Sequence, residues 1–394
     1  MKLVHISDIH LGYRQYQRQT PSGINQREAD IAFAFRKAID KTIELQPDLV
    51  LIGGDVFHNV RPTNPAILHA YKQFSRLVEM LPDCDIVMIA GNHDLPRTSE
   101  TGCILALFQT LGITVVIDEA KRIPLRGGEV SVLAVPEGIR PRPSLDPDPS
   151  ARYNVLLMHD EVEGVIRKFG TIAERPLGDL TLEEIGPERW SYVALGHYHV
   201  YHKVAPNAYY SGSLEYASTN VWGEVDEEIE LGIHGKGFIE QDLDSGAHQF
   251  HPVSLARRVI NLPELSGAGL SADDLNVAIR RAVDACEGGI DDRIVRLVVR
   301  DVSRYVLRDL DHKSIREYRR RALHFLLDTR RPQILRTEAS GAPGRRTSLT
   351  DTVRAMLEGR ELTPGIDRAA LVELGLRYLA QAEREASLAL GVTE

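Results

Sequence analysis

Five short groups of aspartate, asparagine and histidine residues lie within the first 199 residues of the chain, and their side chains suit divalent metal ions. The groups are DIH (8–10), GDVFH (54–58), GNHD (91–94), the single His159 and GHYH (196–199). Mixed carboxylate, imidazole and amide ligands favour manganese, iron or zinc over magnesium, which prefers oxygen ligands. One carboxylate can bridge two ions, and two ions about 3.5 to 4 Å apart activate water and stabilise a phosphoryl group under in-line attack. The residue types therefore indicate a two-metal site for phosphoryl chemistry.

Each group follows or ends an apolar run of strand length, which is how an α/β fold positions such residues. The runs are LVHISD (3–8), DLVLIGGD (48–55), DIVMIAGNHD (85–94), NVLLMHD (154–160) and YVALGHYH (192–199), with VSVLAVP (130–136) as a further strand. Between the first two runs, Ile31, Phe35, Ile39 and Ile43 recur at helical spacing. Strand, helix, strand in this order predicts parallel strands. Their carboxyl ends meet at one edge of a sheet, so we expect the groups to converge.

A single motif of this kind is weak evidence for a metal site, because a lone histidine is more often a core or surface residue than a metal ligand. We assign to that structural class the histidines outside the groups, which are His5, His69, His202, His234, His248, His251, His312 and His324. The complete set of groups in this order, each at a predicted strand end, is much more specific than any one of them.

The remainder of the chain divides into smaller segments by pattern. Residues 205–255 are predicted to form strands in hairpins. The pattern of residues 257–335 predicts a small α+β unit with a helix at 272–285, a strand at 294–299 and a basic helix at 314–327. A linker rich in small residues follows at 336–348. The pattern of residues 349–394 predicts a helical hairpin, which either docks on the rest of the protein or binds a partner.

The hairpin has its own sequence signals. Ser348 and Asp351 form a capping-box pattern, Pro364 and Gly365 break the helical pattern, and Asp367 can cap a second helix.

Composition limits the class of protein. The net charge of −9 argues against a surface that binds nucleic acid everywhere, although residues 300–346 contain 13 Lys or Arg against 6 Asp or Glu. Cys84, Cys103 and Cys286 form no paired motif, which fits a reducing compartment. An apolar run of bilayer length, a signal-peptide pattern and a GxxxxGK[ST] motif are all missing. We therefore expect a soluble cytoplasmic protein that does not hydrolyse ATP itself.

The ordered motifs D-x-H, G-D-x-x-H, G-N-H-D, H and G-H-x-H resemble those of the calcineurin-like metallophosphoesterases. GDVFHNVRP (54–62), with histidine at position 58, and YSGSLEYAS (210–218) resemble the SbcD-type nuclease branch of DNA double-strand-break repair. The resemblance implies an α/β fold, a two-sheet sandwich flanked by helices. It further implies a nuclease domain at 1–256, an α+β DNA-binding cap domain at 257–335 and a C-terminal helical hairpin.

The resemblance also assigns roles to individual residues. Asp8, His10, Asp55 and His199 would hold one metal ion, and Asp55, Asn92, His159 and His197 the other. His93 matches a histidine that stabilises the transition state or protonates the leaving oxygen, Asp94 would orient its ring, and His58 would affect exonuclease action. The implied cofactor is two Mn²⁺ per chain, with Mg²⁺ as the other candidate. Apart from the resemblance, the charge and position of Arg14, Arg61, Arg316 and Arg320 make them candidate DNA contacts, and a solvated polar or basic surface is the alternative for these residues.

The implied activity is a manganese-dependent 3′ to 5′ double-strand exonuclease and single-strand and hairpin endonuclease. The protein would be nucleoid-associated and would act as a homodimer, through helices at 64–80 and 99–111, bound to an SbcC-type coiled-coil ATPase. Two alternatives stay open. One is a phosphodiesterase or phosphatase for small molecules or proteins, which the acidic net charge favours. The other is a non-catalytic scaffold that tethers DNA.

Overall fold

The computed structural model describes residues 1–96, 102–165, 180–233, 235–331, 349–359 and 367–389. The chain forms two units, Met1–Pro332 and Gln333–Glu394. The strands are β1 (Lys2–Ile6), β2 (Leu49–Ile52), β3 (Asp85–Ile89), β4 (Thr114–Val116), β5 (Lys121–Leu125), β6 (Val130–Val135), β7 (Tyr153–His159), β8 (Tyr192–Gly196), β9 (His202–Ala205), β10 (Ala208–Tyr210), β11 (Gly237–Asp242), β12 (His248–Pro252), β13 (Val259–Asn261), β14 (Leu265–Ser266), β15 (Ile294–Arg300) and β16 (His324–Thr329). The α-helices are α1 (Gln26–Leu45), α2 (Asn64–Met80), α3 (Leu182–Ile185), α4 (Val221–Glu230), α5 (Ala272–Asp284), α6 (Arg304–Arg308), α7 (His312–Arg321), α8 (Leu349–Glu358) and α9 (Arg368–Ala389).

Two six-stranded mixed sheets form the larger part of the first unit, as predicted. One has the order β12-β11-β1-β2-β3-β4 and the other β5-β6-β7-β8-β10-β9. Strands β1 to β4 are parallel to one another, and β6, β7 and β8 are also parallel. The predicted parallel arrangement is therefore confirmed, and the carboxyl ends of the site-bearing strands share an edge within each sheet.

The alternation of side chains along each strand produces the layers of the sandwich. Leu49 and Leu51 face the second sheet and pack with residues such as Val132 and Leu157, whereas Val50 and Ile52 face the opposite way, towards α1 and α2. Both faces of β2 are fully buried, which explains why its sequence is a continuous apolar run rather than an alternating one. The sheet is thus held rigidly from both sides.

Residues 205–255 contain a helix that the sequence analysis missed. Strands β9 and β10 pair in antiparallel fashion, as do β11 and β12, but residues 221–230 between them form α4. Asn220 caps this helix, since its side chain accepts a hydrogen bond from the Gly223 backbone N–H at 3.2 Å. The prediction of strands alone is therefore wrong here. Gly223 lies in the first turn of this capped helix.

Residues 257–331 contain a third, parallel sheet. Strand β15 pairs with β13 and β14 on one side and with β16 on the other. The predicted basic helix ends earlier than expected, because α7 stops at Arg321 and the chain becomes extended at Ala322. Residues 324–329 then pair along β15. The apolar run in this segment completes a sheet instead of extending the helix.

The second unit is a helical hairpin. Helices α8 and α9 pack against each other, and Asp367 caps α9 by accepting a hydrogen bond from the Ala369 N–H at 2.8 Å, as predicted. Ser348, Pro364 and Gly365 lie outside the described residues. In the described part of the chain, we find no helix that is both long enough and apolar enough to cross a membrane.

Candidate metal centre

The five groups of ligand-type residues meet at the carboxyl ends of β1, β2, β3, β7 and β8. Asp8 and His10 follow β1, Asp55 follows β2, and Asn92 follows β3. The remaining members are His159, which ends β7, and His197 and His199, which follow β8. The convergence predicted from the sequence is therefore present, although the residues are separated by up to 191 positions along the chain.

The backbone of several of these residues is held in an unfavourable conformation. Asp8, His10, Asp55 and His197 have φ angles of 51°, 52°, 50° and 102°. Positive φ is rare for residues with a side chain, and such residues concentrate at functional sites where the surrounding structure maintains them. Here the left-handed turns end the strands and direct the side chains towards one another.

One half of the centre is formed by imidazoles from distant segments. His10 Nε2 lies 2.9 Å from His199 Nε2 and 3.7 Å from Asp55 Oδ2. Asp8, His10 and His199 form one of the groups that could hold a metal ion. The carboxylate of Asp8 accepts the backbone N–H of His197 at 3.1 Å, which connects this half to the other.

The other half gathers around Asn92. Its Oδ1 lies 3.2 Å from His159 Nε2 and 3.2 Å from His197 Nδ1. His159 Nε2 is also 3.6 Å from Asp55 Oδ2. The same carboxylate oxygen of Asp55 thus faces an imidazole in each half, which is the position a bridging ligand needs.

These spacings are compatible with ligands that share metal ions. Two ligand atoms about 2.1 Å from one ion, at 90 to 109° to each other, lie about 3.0 to 3.4 Å apart. The separations of His10 from His199 and of Asn92 from His159 and His197 are close to that range. The donor set also suits such ions, because imidazole, carboxylate and amide groups converge on one place.

Two glycines provide the space for this convergence. A Cβ atom at Gly91 would collide with the carboxylate of Asp55, and one at Gly54, whose φ is 93°, would lie 2.5 Å from Nδ1 of His159. Any larger residue at either position would displace a ligand. The glycines of the GD and GN motifs are therefore part of the site.

The electrostatics of the centre favour positive charge at its middle. Burial lowers the pKa of His10 well below its ordinary value and that of His197 to about 3, so both rings are neutral. Burial would also lower the pKa of His159, but the carboxylates of Asp55 and Asp8 outweigh it and raise that pKa to about 9. The two carboxylates therefore attract a cation to the position that lies between the rings.

Further side chains hold the imidazoles from behind. His159 Nδ1 donates to the carbonyl of Gly53 at 2.7 Å, which leaves Nε2 directed at the centre. His199 Nδ1 lies 3.3 Å from the carboxylate of Glu224 on α4, and Glu224 pairs with Lys236. Burial opposes the charge on Glu224, but Lys236 and His199 outweigh it and lower its pKa to about 2. Sequence reasoning missed this pair because the segment was read as strands.

His58 and His93 lie beside the first half of the centre. His93 Nδ1 donates to the carbonyl of His58 at 2.8 Å, and the backbone N–H of His93 donates to Asp55 Oδ1 at 2.9 Å. His58 Nδ1 is 3.3 Å from His10 Nδ1, and the His58 and His93 rings stack at 4.9 Å. Burial lowers the pKa of His58 to about 4.

The expected role of Asp94 needs correction. Its carboxylate accepts the backbone N–H groups of Phe57 at 2.9 Å, Gly91 at 3.1 Å and Val56 at 3.2 Å. The ring of His93 is held by the His58 carbonyl instead. Burial and the nearby Asp55 raise the pKa of Asp94 to about 7. Asp94 therefore fastens the GDVFH and GNHD loops to each other and does not orient the His93 ring.

The candidate DNA contacts have different surroundings. Arg14 Nε donates to Glu28 at 2.7 Å, and Arg320 forms a bidentate pair with Glu317. Arg61 and Arg316 are exposed.

The loop that carries Arg14 continues to the third sheet. Tyr16 stacks on His324 with ring centres 4.1 Å apart, and Arg18 donates to the backbone carbonyls of Arg320 and Ala322 at 2.7 and 2.8 Å. This loop therefore connects the centre to residues 257–331.

The chain is similar to known proteins. The calcineurin-like phosphoesterase family model matches residues 1–217. The chain is 30% identical over 247 residues to the DNA double-strand break repair protein Mre11 of Methanocaldococcus jannaschii, covering 60% of this chain and 61% of that protein. The protein of the same name from Methanococcus maripaludis is 30% identical over 254 residues, covering 62% and 63%. That from Methanopyrus kandleri is 24% identical over 329 residues, covering 76% and 65%.

Each of these matches spans less than two thirds of the relative's own length. The family match, by contrast, covers more than half of the present chain and includes every ligand-type residue of the centre. With its motifs converging at the strand ends of a two-sheet sandwich, the chain belongs to the calcineurin-like phosphoesterase family.

Proposed function

We propose that the protein is a manganese-dependent DNA nuclease that hydrolyses phosphodiester bonds at double-strand breaks. The observation that carries the proposal is the convergence of imidazole, amide and carboxylate groups on both sides of Asp55. The proposal draws further support from relatives that are double-strand-break repair proteins.

In this proposal Asp8, His10, Asp55 and His199 hold one cation, and Asp55, Asn92, His159 and His197 hold the other. Both are Mn²⁺, because imidazole ligands disfavour magnesium relative to manganese. The bound cations supply Lewis acidity for attack on the phosphorus. The rigid strand ends and the left-handed turns keep the ligands in place before any substrate binds.

His93 is the proposed acid for the leaving oxygen. Because Nδ1 donates to the His58 carbonyl, Nε2 is the nitrogen left to exchange a proton with substrate. The backbone N–H of His93 is bonded to Asp55, which places the ring next to the proposed bridging ligand. His58 stacks on this ring and has the proposed role of keeping its orientation during exonuclease action.

The proposed activity is 3′ to 5′ degradation of double-stranded ends, together with cutting of single strands and hairpins. Residues 1–256 form the proposed nuclease domain and 257–335 the DNA-binding cap, where Arg316 and Arg320 contact DNA together with Arg14 and Arg61. The basic excess of residues 300–346 supports this assignment.

The proposed assembly is a nucleoid-associated homodimer in the cytoplasm, joined to an SbcC-type coiled-coil ATPase. Leu68 and Met80 on α2 are 70% and 52% exposed, which supports α2 as a dimer helix. The second proposed dimer segment, 99–111, contains a 3₁₀ helix at Ile104–Leu111, and residues 99–101 lie outside the described chain. Residues 336–348 are the proposed linker to the hairpin at 349–394. Exposed Met356 and Tyr378 on the hairpin support it as the ATPase-binding element.

The deciding experiment measures cleavage of a linear duplex labelled at its 5′ ends, with Mn²⁺ or Mg²⁺, beside a small chromogenic phosphodiester. We expect progressive shortening from the 3′ ends in Mn²⁺ only. Cleavage of the small diester without cleavage of DNA would overturn the proposal in favour of a small-molecule phosphodiesterase. No cleavage of either substrate, with the ATPase and ATP added, would overturn it in favour of a scaffold that tethers DNA.

A further inference from the structure

Helix α4 contacts the candidate metal centre with one side and the third sheet with the other. On the first side, the Glu224 carboxylate lies 3.3 Å from Nδ1 of His199. On the second side, Asp226 accepts hydrogen bonds from Arg296 on β15 and Asn261 on β13. These two acidic residues lie within one turn of the same helix, so they move together if the helix moves.

The contact between Glu224 and His199 is built into a buried charge cluster. Lys236 is 2% exposed and pairs with Glu224 and, at 2.9 Å, with Glu228. The same ammonium donates to the backbone carbonyl of His199 at 2.9 Å. The Lys236 ammonium therefore holds both the backbone of His199 and the Glu224 carboxylate, which accepts the proton of the His199 ring. A buried arrangement of this kind restricts the ring to one orientation.

The contact with the third sheet is equally specific. Arg296 forms hydrogen bonds of 3.0 and 3.1 Å to the two carboxylate oxygens of Asp226, and its guanidinium lies 5.0 Å from the ring centre of Trp222. Trp222 and Val225 pack with Ile294 of that sheet and with Leu323, which precedes β16. Ion pairing, cation–π contact and apolar packing together fix the helix to residues 257–331.

We propose that Glu224 is a positioning residue for the His199 imidazole and that α4 makes this position depend on residues 257–331. The inference rests on the proposed function, because it requires His199 to hold a cation. A carboxylate that accepts the Nδ1 proton orients the ring and raises the basicity of Nε2 towards the metal, and loss of such a partner weakens metal binding by about 10- to 100-fold. A displacement of the third sheet, such as bound nucleic acid would cause, reaches the centre through α4.

The first test compares Glu224→Gln with Glu228→Gln in the full-length chain. Both substitutions remove one carboxylate partner of buried Lys236, but only Glu224 is adjacent to His199. Apo-protein is titrated with Mn²⁺ alone by calorimetry, and the visible spectrum of bound Co²⁺ reports the ligand geometry. We expect Glu224→Gln to weaken one of the two sites by about 10- to 100-fold and to alter the spectrum, with Glu228→Gln close to wild type. Equal effects of the two variants would overturn the positioning role.

Glu224→Asp provides a second variant, because it retains the charge beside Lys236 and moves the carboxylate away from the ring. We expect it to fold like wild type and to weaken the same Mn²⁺ site. Wild-type Mn²⁺ affinity in Glu224→Asp, together with wild-type affinity in Glu224→Gln, would likewise overturn the positioning role.

The second test is a double-mutant cycle between Asp226 and Glu224. Asp226→Asn weakens the contact to Arg296, and Asp273→Asn on α5 is a control that also removes one exposed negative charge. We expect Asp226→Asn to weaken Mn²⁺ binding several-fold in the wild-type chain and to have no further effect in Glu224→Gln. An unchanged affinity in the single variant, or additive effects, would overturn the dependence on residues 257–331.

These results are distinguishable from failure of the proposed function. If wild-type protein binds two Mn²⁺ and cleaves DNA, while Glu224→Gln behaves like Glu228→Gln, only the further inference is wrong. If wild-type protein binds no Mn²⁺, the proposed function and the inference are both wrong.

Discussion

The Nε2 atoms of His10 and His199 lie 2.9 Å apart although 189 residues separate them in the chain. Nδ1 of His199 faces the carboxylate of Glu224, so its Nε2 is directed at the Nε2 of His10, and a cation between the two rings would take both Nε2 atoms as ligands. The folded chain therefore holds its ligands close together before the ion arrives. Binding then stabilises the fold, because the unfolded chain has no such site.

The first prediction concerns that stabilisation. Mn²⁺ at about one hundred times its dissociation constant is expected to stabilise the wild type by about 2.7 kcal/mol for each site. Asp55→Asn removes the proposed bridging charge, so the gain disappears. The gain is taken for each variant as the difference in unfolding free energy between the protein with Mn²⁺ and the same protein without it. Thermal unfolding with and without Mn²⁺ checks this, and Asp83→Asn, at an exposed position, should respond like wild type. A full Mn²⁺ gain in Asp55→Asn would contradict the assignment.

The second prediction separates chemistry from metal binding. His93→Ala removes the ring but keeps the backbone N–H that donates to Asp55, so Mn²⁺ binding should persist while cleavage falls by about 10²- to 10⁴-fold. His69→Ala, which removes a histidine of α2, serves as the control and should cleave at a rate close to wild type. Unchanged cleavage in His93→Ala would exclude the proposed acid.

Asp94 provides the third prediction. Asp94→Ala leaves the backbone N–H groups of Val56, Phe57 and Gly91 without their acceptor. Each unsatisfied buried donor costs about 1 kcal/mol or more, so we expect a loss of about 3 kcal/mol of unfolding free energy together with weaker Mn²⁺ binding. Asp94→Asn retains an acceptor oxygen and should lose less. Urea unfolding measures the difference. Wild-type stability in Asp94→Ala, with only cleavage lost, would instead favour a role on the His93 ring.

The fourth prediction tests the hairpin. Met356→Glu with Tyr378→Glu places charges at positions that are 70% and 62% exposed, so the helices should remain folded. Co-purification with the SbcC-type ATPase should be lost, whereas cleavage of a short duplex by the isolated protein should not change. Deletion of 349–394 should have the same result, and Glu373→Gln, on the same hairpin, is the control. Retained co-purification after the deletion would remove the hairpin from the proposed interface.

The fifth prediction concerns acid stability. Burial, followed by the effect of His248, lowers the pKa of His5 from 6.5 to about 3. Above pH 6.5 neither state binds the proton. Between pH 6.5 and 3 only the unfolded state binds the proton. As the pH is lowered through this range, His5 therefore decreases the free energy of unfolding by about 1.4 kcal/mol per pH unit. His5→Phe should flatten the dependence of unfolding free energy on pH between 6 and 4. The control is His312→Gln, at an exposed position. Parallel curves for wild type and His5→Phe would show that His5 makes no contribution.

Local sequence patterns were sufficient to predict the two-sheet sandwich and to identify the ligand-type residues. The apolar runs before Asp8, Asp55 and Asn92 predicted strands. Both faces of these strands are buried, so nearly every residue in them is apolar and the run is visible in the sequence. The order of the strands then predicted parallel pairing and a shared edge. The motif residues followed from their chemistry and their place after each run.

The elements that the patterns missed depend on neighbours from distant parts of the chain. Strand β16 forms because β15 offers it a free edge. The charges of Glu224 and Lys236 are buried because each neutralises the other. The carboxylate of Asp94 turned to the backbone because three unpaired N–H groups of two loops lie within its reach. Residue type and spacing therefore determined which side chains could bind cations and on which strands they lie. Only the folded chain decided which partners hold those side chains, because pairing of buried charges and hydrogen bonds is set by proximity in space and leaves no periodic signal in the sequence.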